Sequence, residues 1–113
     1  MSQSDEQWQF LKDVAKLIIY ADDIGVKLTA GEMWRPDEMQ ELYLISGKSQ
    51  VYESQHQKRL AVDFNLFVGG KIQWVMGEEF KLLGEFWKSL SPKNKWGGDY
   101  KTFFDGYHFQ RDS

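Results

Sequence analysis

The chain has no cysteine, two prolines and two histidines among 113 residues. Without cysteine there is no disulfide and no thiolate metal site, so a bound metal would rest on nitrogen and oxygen donors alone. There is no basic excess either. Fourteen Lys and Arg stand against seventeen Asp and Glu, a formal net charge of -3, which leaves no positive face for nucleic acid. Long apolar runs are also missing. Val14 to Ala21, the most apolar early stretch, carries Lys16 and is too short to span a bilayer. The start, Met-Ser-Gln-Ser-Asp-Glu, lacks the basic residues of a secretory signal. These absences predict synthesis in the cytoplasm without a signal peptide and no membrane insertion; a monomer is the expectation, which composition does not fix.

What is present suits one domain over residues 1–113, with aromatics at 16% of the chain to fill a single core. Ser4 reads as a helix N-cap, followed by Asp5 and Glu6 in the first turn. Trp8, Leu11, Ala15, Ile18 and Ile19 recur at helical spacing, which predicts a helix over about 4–24 ended by Gly25. Val26, Leu28 and Ala30 alternate in a strand reaching Met33. Pro36 at a first helical position opens a second helix to about Ser46. In the next strand Leu60, Val62, Phe64, Leu66 and Val68 share one face and Ala61, Asp63 and Asn65 the other. Gly69-Gly70 is a two-residue hairpin turn into Lys71–Val75. Phe80, Leu83, Phe86, Trp87 and Leu90 mark a third helix over about 77–90, stopped by Pro92. A Gly-rich loop and a short strand through His108 complete the chain. The pattern implies an α+β fold, a small, mostly antiparallel sheet packed by about three helices.

Both histidines lie in polar, turn-flanked segments near an aspartate: His56 seven residues before Asp63, and His108 three after Asp105. The apolar face of the 60–68 strand must cover the core, so Asp63 points the other way. His56, Asp63 and His108 would give zinc three ligands and leave one position open, the catalytic pattern. A carboxylate must then serve as general base and acid, and Asp105 is placed for it. Developing oxyanion charge needs a cation, for which Arg35 is the candidate. Plainer readings stay open beside these. Asp63 could cap a turn or pair with Arg59, Asp105 before Gly106 is ordinary turn chemistry, and Arg35 could pair with Glu32 or Glu38. Glu32 is a weaker rival for the base. Gly97-Gly98 lacks the Gly-Lys-Ser/Thr ending of a phosphate loop.

The ordered set Ser54-x-His56, Ala61-x-Asp63, Trp96-Gly97-Gly98-Asp99-Tyr100 and Asp105-x-x-His108-Phe109, with Arg35-Pro36-Asp37 upstream, resembles the zinc D-alanyl-D-alanine carboxypeptidase and L-alanyl-D-glutamate endopeptidase family, to which many phage endolysins belong. The resemblance covers about residues 28–110. It implies the fold shared by D,D-peptidases and the Hedgehog signalling domain. It implies His56, Asp63 and His108 as zinc ligands, Asp105 as acid/base, and Arg35 as substrate or oxyanion contact. Ser54, Arg59, Trp96 and Tyr107 are the expected substrate contacts. The implied activity is hydrolysis of a peptidoglycan stem peptide at L-Ala-D-Glu, with release from the cytoplasm through a phage holin. D-Ala-D-Ala carboxypeptidase activity and a non-catalytic, zinc-stabilised binding module are the alternatives. Three positions depart from the family's usual pattern: Arg59 where glycine is common, Tyr100 where tryptophan is common, and Gln110 where glutamate is frequent.

Overall fold

Helix α1 (Gln3–Asp23) starts on a reciprocal cap, in which Ser2 Oγ accepts the Asp5 N–H at 3.2 Å and the Asp5 carboxylate accepts the Ser2 N–H at 3.1 Å. A computed structural model describes residues 2–46, 55–74, 77–100 and 105–112. The cap falls at Ser2 rather than at Ser4. Gln7, three residues after Ser4, instead reaches across to the Lys58 carbonyl at 2.9 Å. At the other end, Gly25 (φ +81°) donates to Asp22 O and Val26 to Ala21 O, the pair of bonds that closes a helix on a left-handed residue.

The buried face of α1 is not the stripe that marks the helix in the sequence. Phe10, Val14, Leu17 and Ala21 enter the core together with Glu6 and Asp13, while Trp8 (59% exposed) and Ile19 (62%) face outward with Leu11, Ala15 and Ile18. The helix carries two apolar stripes. The one that is buried includes two carboxylates, and both have partners. Glu6 receives Lys93 Nζ and Arg111 Nε at 2.6 Å each, and Asp13 receives Asn94 Nδ2 at 3.1 Å. Paired in this way, they can occupy an interior position.

Strand β1 (Lys27–Ala30), helix α2 (Asp37–Ile45), strand β2 (Ala61–Val68), strand β3 (Lys71–Ile72), helix α3 (Glu78–Leu90), strand β4 (Asn94–Trp96), a 3-10 turn at Gly97–Asp99 and strand β5 (His108–Arg111) follow in order. Pro36 is extended (ψ 154°) and flanks α2 rather than opening it. The five strands form one antiparallel sheet in the order β1-β2-β5-β4, with β3 also on β2. The family of shapes is the expected α+β class, with three helices on a small antiparallel sheet. Gly69 (φ +59°) and Gly70 (φ +79°) both take the left-handed conformation that a two-residue hairpin requires. Of the expected Lys71–Val75 strand only Lys71–Ile72 is paired, and Val75 lies outside the described residues.

Leu60, Val62, Phe64 and Leu66 are buried as the alternation predicts, against Phe80, Leu83 and Trp87 of α3 and Phe10 of α1. Ala61, on the second face, is buried as well. Trp87 Nε1–H is shared between the carbonyls of Lys95 and Gln110 at 3.1 and 3.0 Å, which ties α3 to β4 and β5. No described helix is long and apolar enough to cross a membrane.

Candidate metal centre and active site

β2 and β5 pair so that Asp63 stands directly opposite His108, and Val62 opposite Phe109. Directly opposed residues share a face, so one pair of contacts faces the core and the next faces the site. His108 Nδ1 lies 3.0 Å from Asp63 Oδ1. His56 comes from the turn just before β2, and its Nε2 lies 3.4 Å from the same oxygen. The two imidazole centroids are 5.0 Å apart. One ligand atom from each of His56, Asp63 and His108 lies within 4.8 Å of the others. The sequence-predicted ligands therefore converge from three separate segments.

The donor set fits a divalent ion. His56 Nδ1 sits 3.2 Å from Met33 O, which can only accept, so Nδ1 carries the hydrogen and Nε2 keeps its lone pair toward Asp63. On the other ring, His108 Nε2 is 2.7 Å from Gln110 Oε1. The Gln110 amide cannot be turned round, because its Nε2 donates to Asp112 Oδ1 at 2.5 Å and its Oε1 accepts the Tyr100 hydroxyl at 3.0 Å. In the neutral ring Nε2 therefore carries the hydrogen, and Nδ1 turns its lone pair toward the Asp63 side. Outer partners of this kind fix tautomer and ring orientation in metal sites. Burial alone would raise the Asp63 carboxyl, but the two imidazoles, which donate to it and carry positive charge when both their nitrogens are protonated, outweigh burial and bring its pKa down to about 2. Asp63 is thus an anion at neutral pH.

The segment after β1 carries much of this arrangement. Gly31 N–H donates to Asp63 O at 2.7 Å, Asp63 N–H to Glu32 O at 2.8 Å and Arg35 N–H to His56 O at 3.2 Å. Arg35 is buried and ion-paired with Glu32, whose carboxylate is 3.9 Å from His56 Nδ1. Of the two pairings left open for Arg35, the one with Glu32 is formed.

Asp105 is held by Gly97. Its N–H donates to Gly97 O at 3.0 Å, and a Cβ on Gly97 would fall 2.0 Å from Asp105 O and 3.0 Å from the His108 Cβ. Burial, with the charge of Asp63 behind it, raises the Asp105 carboxyl above its ordinary value. That is the direction a general acid/base needs.

Trp96 and Tyr107, expected as substrate contacts, both make supporting contacts inside the fold. Trp96 is 2% exposed, wedged between Gly84 and Gly98, where a Cβ would approach its ring to 2.2 Å in each case, and its Nε1 donates to Gly106 O at 2.9 Å. Tyr107 stands edge-on to Phe80 and gives its hydroxyl hydrogen to Gln73 O at 2.8 Å. Ser54 lies outside the described residues.

Arg59 is exposed and, among the described residues, is the one non-glycine with positive φ, at +60°. Leu60 N–H bonds Gln55 O at 2.9 Å and Arg59 N–H bonds His56 O at 3.2 Å, the same closure seen at Gly25. A glycine suits that place, and a side chain there costs about 1–2 kcal/mol. The Arg59 guanidinium lies 5.1 Å from the Trp34 ring centroid rather than on Asp63. An exposed contact of this type returns about 0.5–1 kcal/mol, which does not offset the strain. Trp34, 52% exposed, was not singled out from the sequence, since an isolated tryptophan between Met33 and Arg35 gives no periodic signal.

Residues 47–111, more than half of the chain, match the family model described as D-alanyl-D-alanine carboxypeptidase, a peptidase M15 family. The chain belongs to this family. Peptidases of the M15 group are zinc-dependent in general, and the matched span contains His56, Asp63, Asp105 and His108 but not Arg35. The chain is similar to the L-alanyl-D-glutamate peptidase of Listeria phage A118, at 30% identity over 95 residues. That likeness covers 84% of this chain and 34% of the relative, so the chain spans about a third of that protein's length. Among solved structures it resembles the L-Ala D-Glu endopeptidase ChiX of Serratia marcescens, with a TM-score of 0.70 and 26% identity over 88% of this chain and 78% of the other.

Proposed function

We propose that this M15 family member is a zinc peptidase acting on the stem peptide of bacterial peptidoglycan, at the L-Ala-D-Glu bond. The observation that carries the reading is the convergence of His56 Nε2, Asp63 Oδ1 and His108 Nδ1, with both ring tautomers set from behind. Three such donors leave a fourth position open. Zinc held there supplies a Lewis acid and lowers the pKa of a water it carries.

The chain's own residues supply the rest. The Asp105 carboxylate takes the proton of the attacking water and returns it to the leaving amine. Arg35 offers positive charge where the oxyanion develops, with Glu32 holding its guanidinium in place. The names of the Listeria phage and Serratia relatives support the choice of bond. The description of the family model favours D-Ala-D-Ala carboxypeptidase activity as a second reading, with the same chemistry. The likeness to a phage enzyme supports action on the cell wall after release through a holin.

Incubation of the purified protein with peptidoglycan, with zinc or with a chelator, followed by mass spectrometry of the fragments, tests the reading. New D-glutamyl amino termini in the zinc arm alone support it. Released D-alanine selects the second reading, and no new termini with zinc present rejects both.

A further inference from the structure

The turn that carries His56 ends on a strained cation. Arg59 occupies a left-handed position, with φ +60°, in which glycine would be unstrained. Both Arg59 and Arg35 donate their backbone N–H to the carbonyl of His56, at 3.2 Å each, while Met33 O holds the His56 ring. Trp34 is the residue between Met33 and Arg35. The Arg59–Trp34 pair therefore sits beside a proposed metal ligand, built on the two segments that position it. Of the buried or half-buried cations near it in the fold, Arg35 is matched with Glu32 and Arg111 with Glu6. Arg59 lies on an aromatic ring, and among the described residues no carboxylate is paired with it. A guanidinium over a ring keeps its in-plane N–H donors for another acceptor, and its fork matches a carboxylate.

The geometry points to Arg59, braced on Trp34, as the group that recognises the free carboxylate of the glutamyl residue beside the scissile bond. This rests on the proposed L-Ala-D-Glu specificity. A glutamyl residue has two carboxyl groups and continues the peptide through one of them. The other remains as an anion a few bonds from the scissile nitrogen. An acidic substrate approaching a chain of net charge -3 gains from a cation placed beside the proposed metal ligand rather than elsewhere on the surface. The left-handed arginine is then a strain kept for function.

Two synthetic stem peptides test this, one with the free glutamyl carboxylate and one with that group as an amide. The native protein is expected to favour the carboxylate peptide about tenfold in kcat/KM, through KM, as one charge-assisted contact at an exposed site would give. In Arg59→Gly the ratio falls to near one, while the melting temperature stays level or rises because the backbone strain is gone. Arg59→Lys retains part of the preference. An unchanged ratio in Arg59→Gly overturns the inference. Calorimetric titration of the zinc-depleted proteins with the same two peptides separates it from the reading beneath. Tighter binding of the carboxylate peptide by native protein only, without cleavage when zinc is restored, upholds Arg59 and rejects the peptidase. Cleavage with equal preference in both proteins does the reverse.

Discussion

Tyr100 gives its hydroxyl hydrogen to Gln110 Oε1 at 3.0 Å, and the same oxygen holds His108 Nε2 at 2.7 Å. Two of the three departures from the usual family pattern are thus hydrogen-bonded to each other and act on one proposed ligand. Gln110 suits the place because it accepts on one side and donates to Asp112 on the other, at 2.5 Å. A glutamate at 110 would set two carboxylates against each other. Gln110→Ala, which removes the acceptor from His108 Nε2, is expected to weaken zinc binding about 10–100-fold, the usual scale for an outer partner of a ligand. Gln110→Glu with Asp112→Asn should keep most of the native affinity, because the donor and acceptor are simply exchanged. Competition with a chromophoric chelator measures both, and equal affinity in all three proteins would remove Gln110 from the site.

The Tyr100 phenol is pushed up to about 12 by burial, aided by the charges of Asp112, Asp105 and Asp63. It should therefore remain a hydrogen donor across the working range. In a spectrophotometric titration of the native protein the latest step should belong to Tyr100, with Tyr107 also raised by burial. Tyr100→Phe should lose that late step and keep the rest.

Asp105→Asn should lower kcat about 10²–10⁴-fold, the range for a positioned acid/base, while zinc content and melting temperature change little. The pH dependence has a definite sign. The attacking step needs the carboxylate, and burial raises this carboxyl above 3.8. The acid limb of kcat/KM should consequently lie at higher pH than an ordinary aspartate gives, and it should vanish in Asp105→Asn. Normal turnover in that variant would move the acid/base role elsewhere.

Glu6 joins α1 to Lys93 and Arg111, and hydrogen bonds from these two cations hold its carboxyl below the ordinary 4.5. A lowered folded pKa contributes stability that is fully present above the unfolded value and disappears as pH falls through the folded one. Glu6→Gln should therefore melt at lower temperature than native protein at pH 7, and the gap should narrow below about pH 4.5. Thermal denaturation followed by circular dichroism across that range checks it.

The site was more legible than the packing. Histidine is scarce in this chain, and alternation along Leu60–Val68 turned Asp63 away from the core before any partner was known. The opposing register of Asp63 and His108 then followed from the fold. The buried face of α1 was hidden for a physical reason. Its polar members are tolerated only because Lys93, Asn94 and Arg111 arrive from some eighty or more residues away, and a helical period read locally favours the purely apolar stripe. β4 was lost in the loop because three residues, one of them the exposed Lys95, give no period. The burial of Trp96 is hard to read from the sequence because its slot is made by what Gly84 and Gly98 lack.

The neighbouring rungs Val62–Phe109 and Asp63–His108 have a joint effect. Strand residues alternate between faces, so a slip of one position between β2 and β5 would bring Phe109 into the polar cluster and drive an imidazole into the hydrocarbon interior. Greasy side chains, rather than the polar ones, guard the alignment on which the chemistry depends. Trimming Phe109 to alanine should accordingly blunt metal capture from a position that never touches the ion.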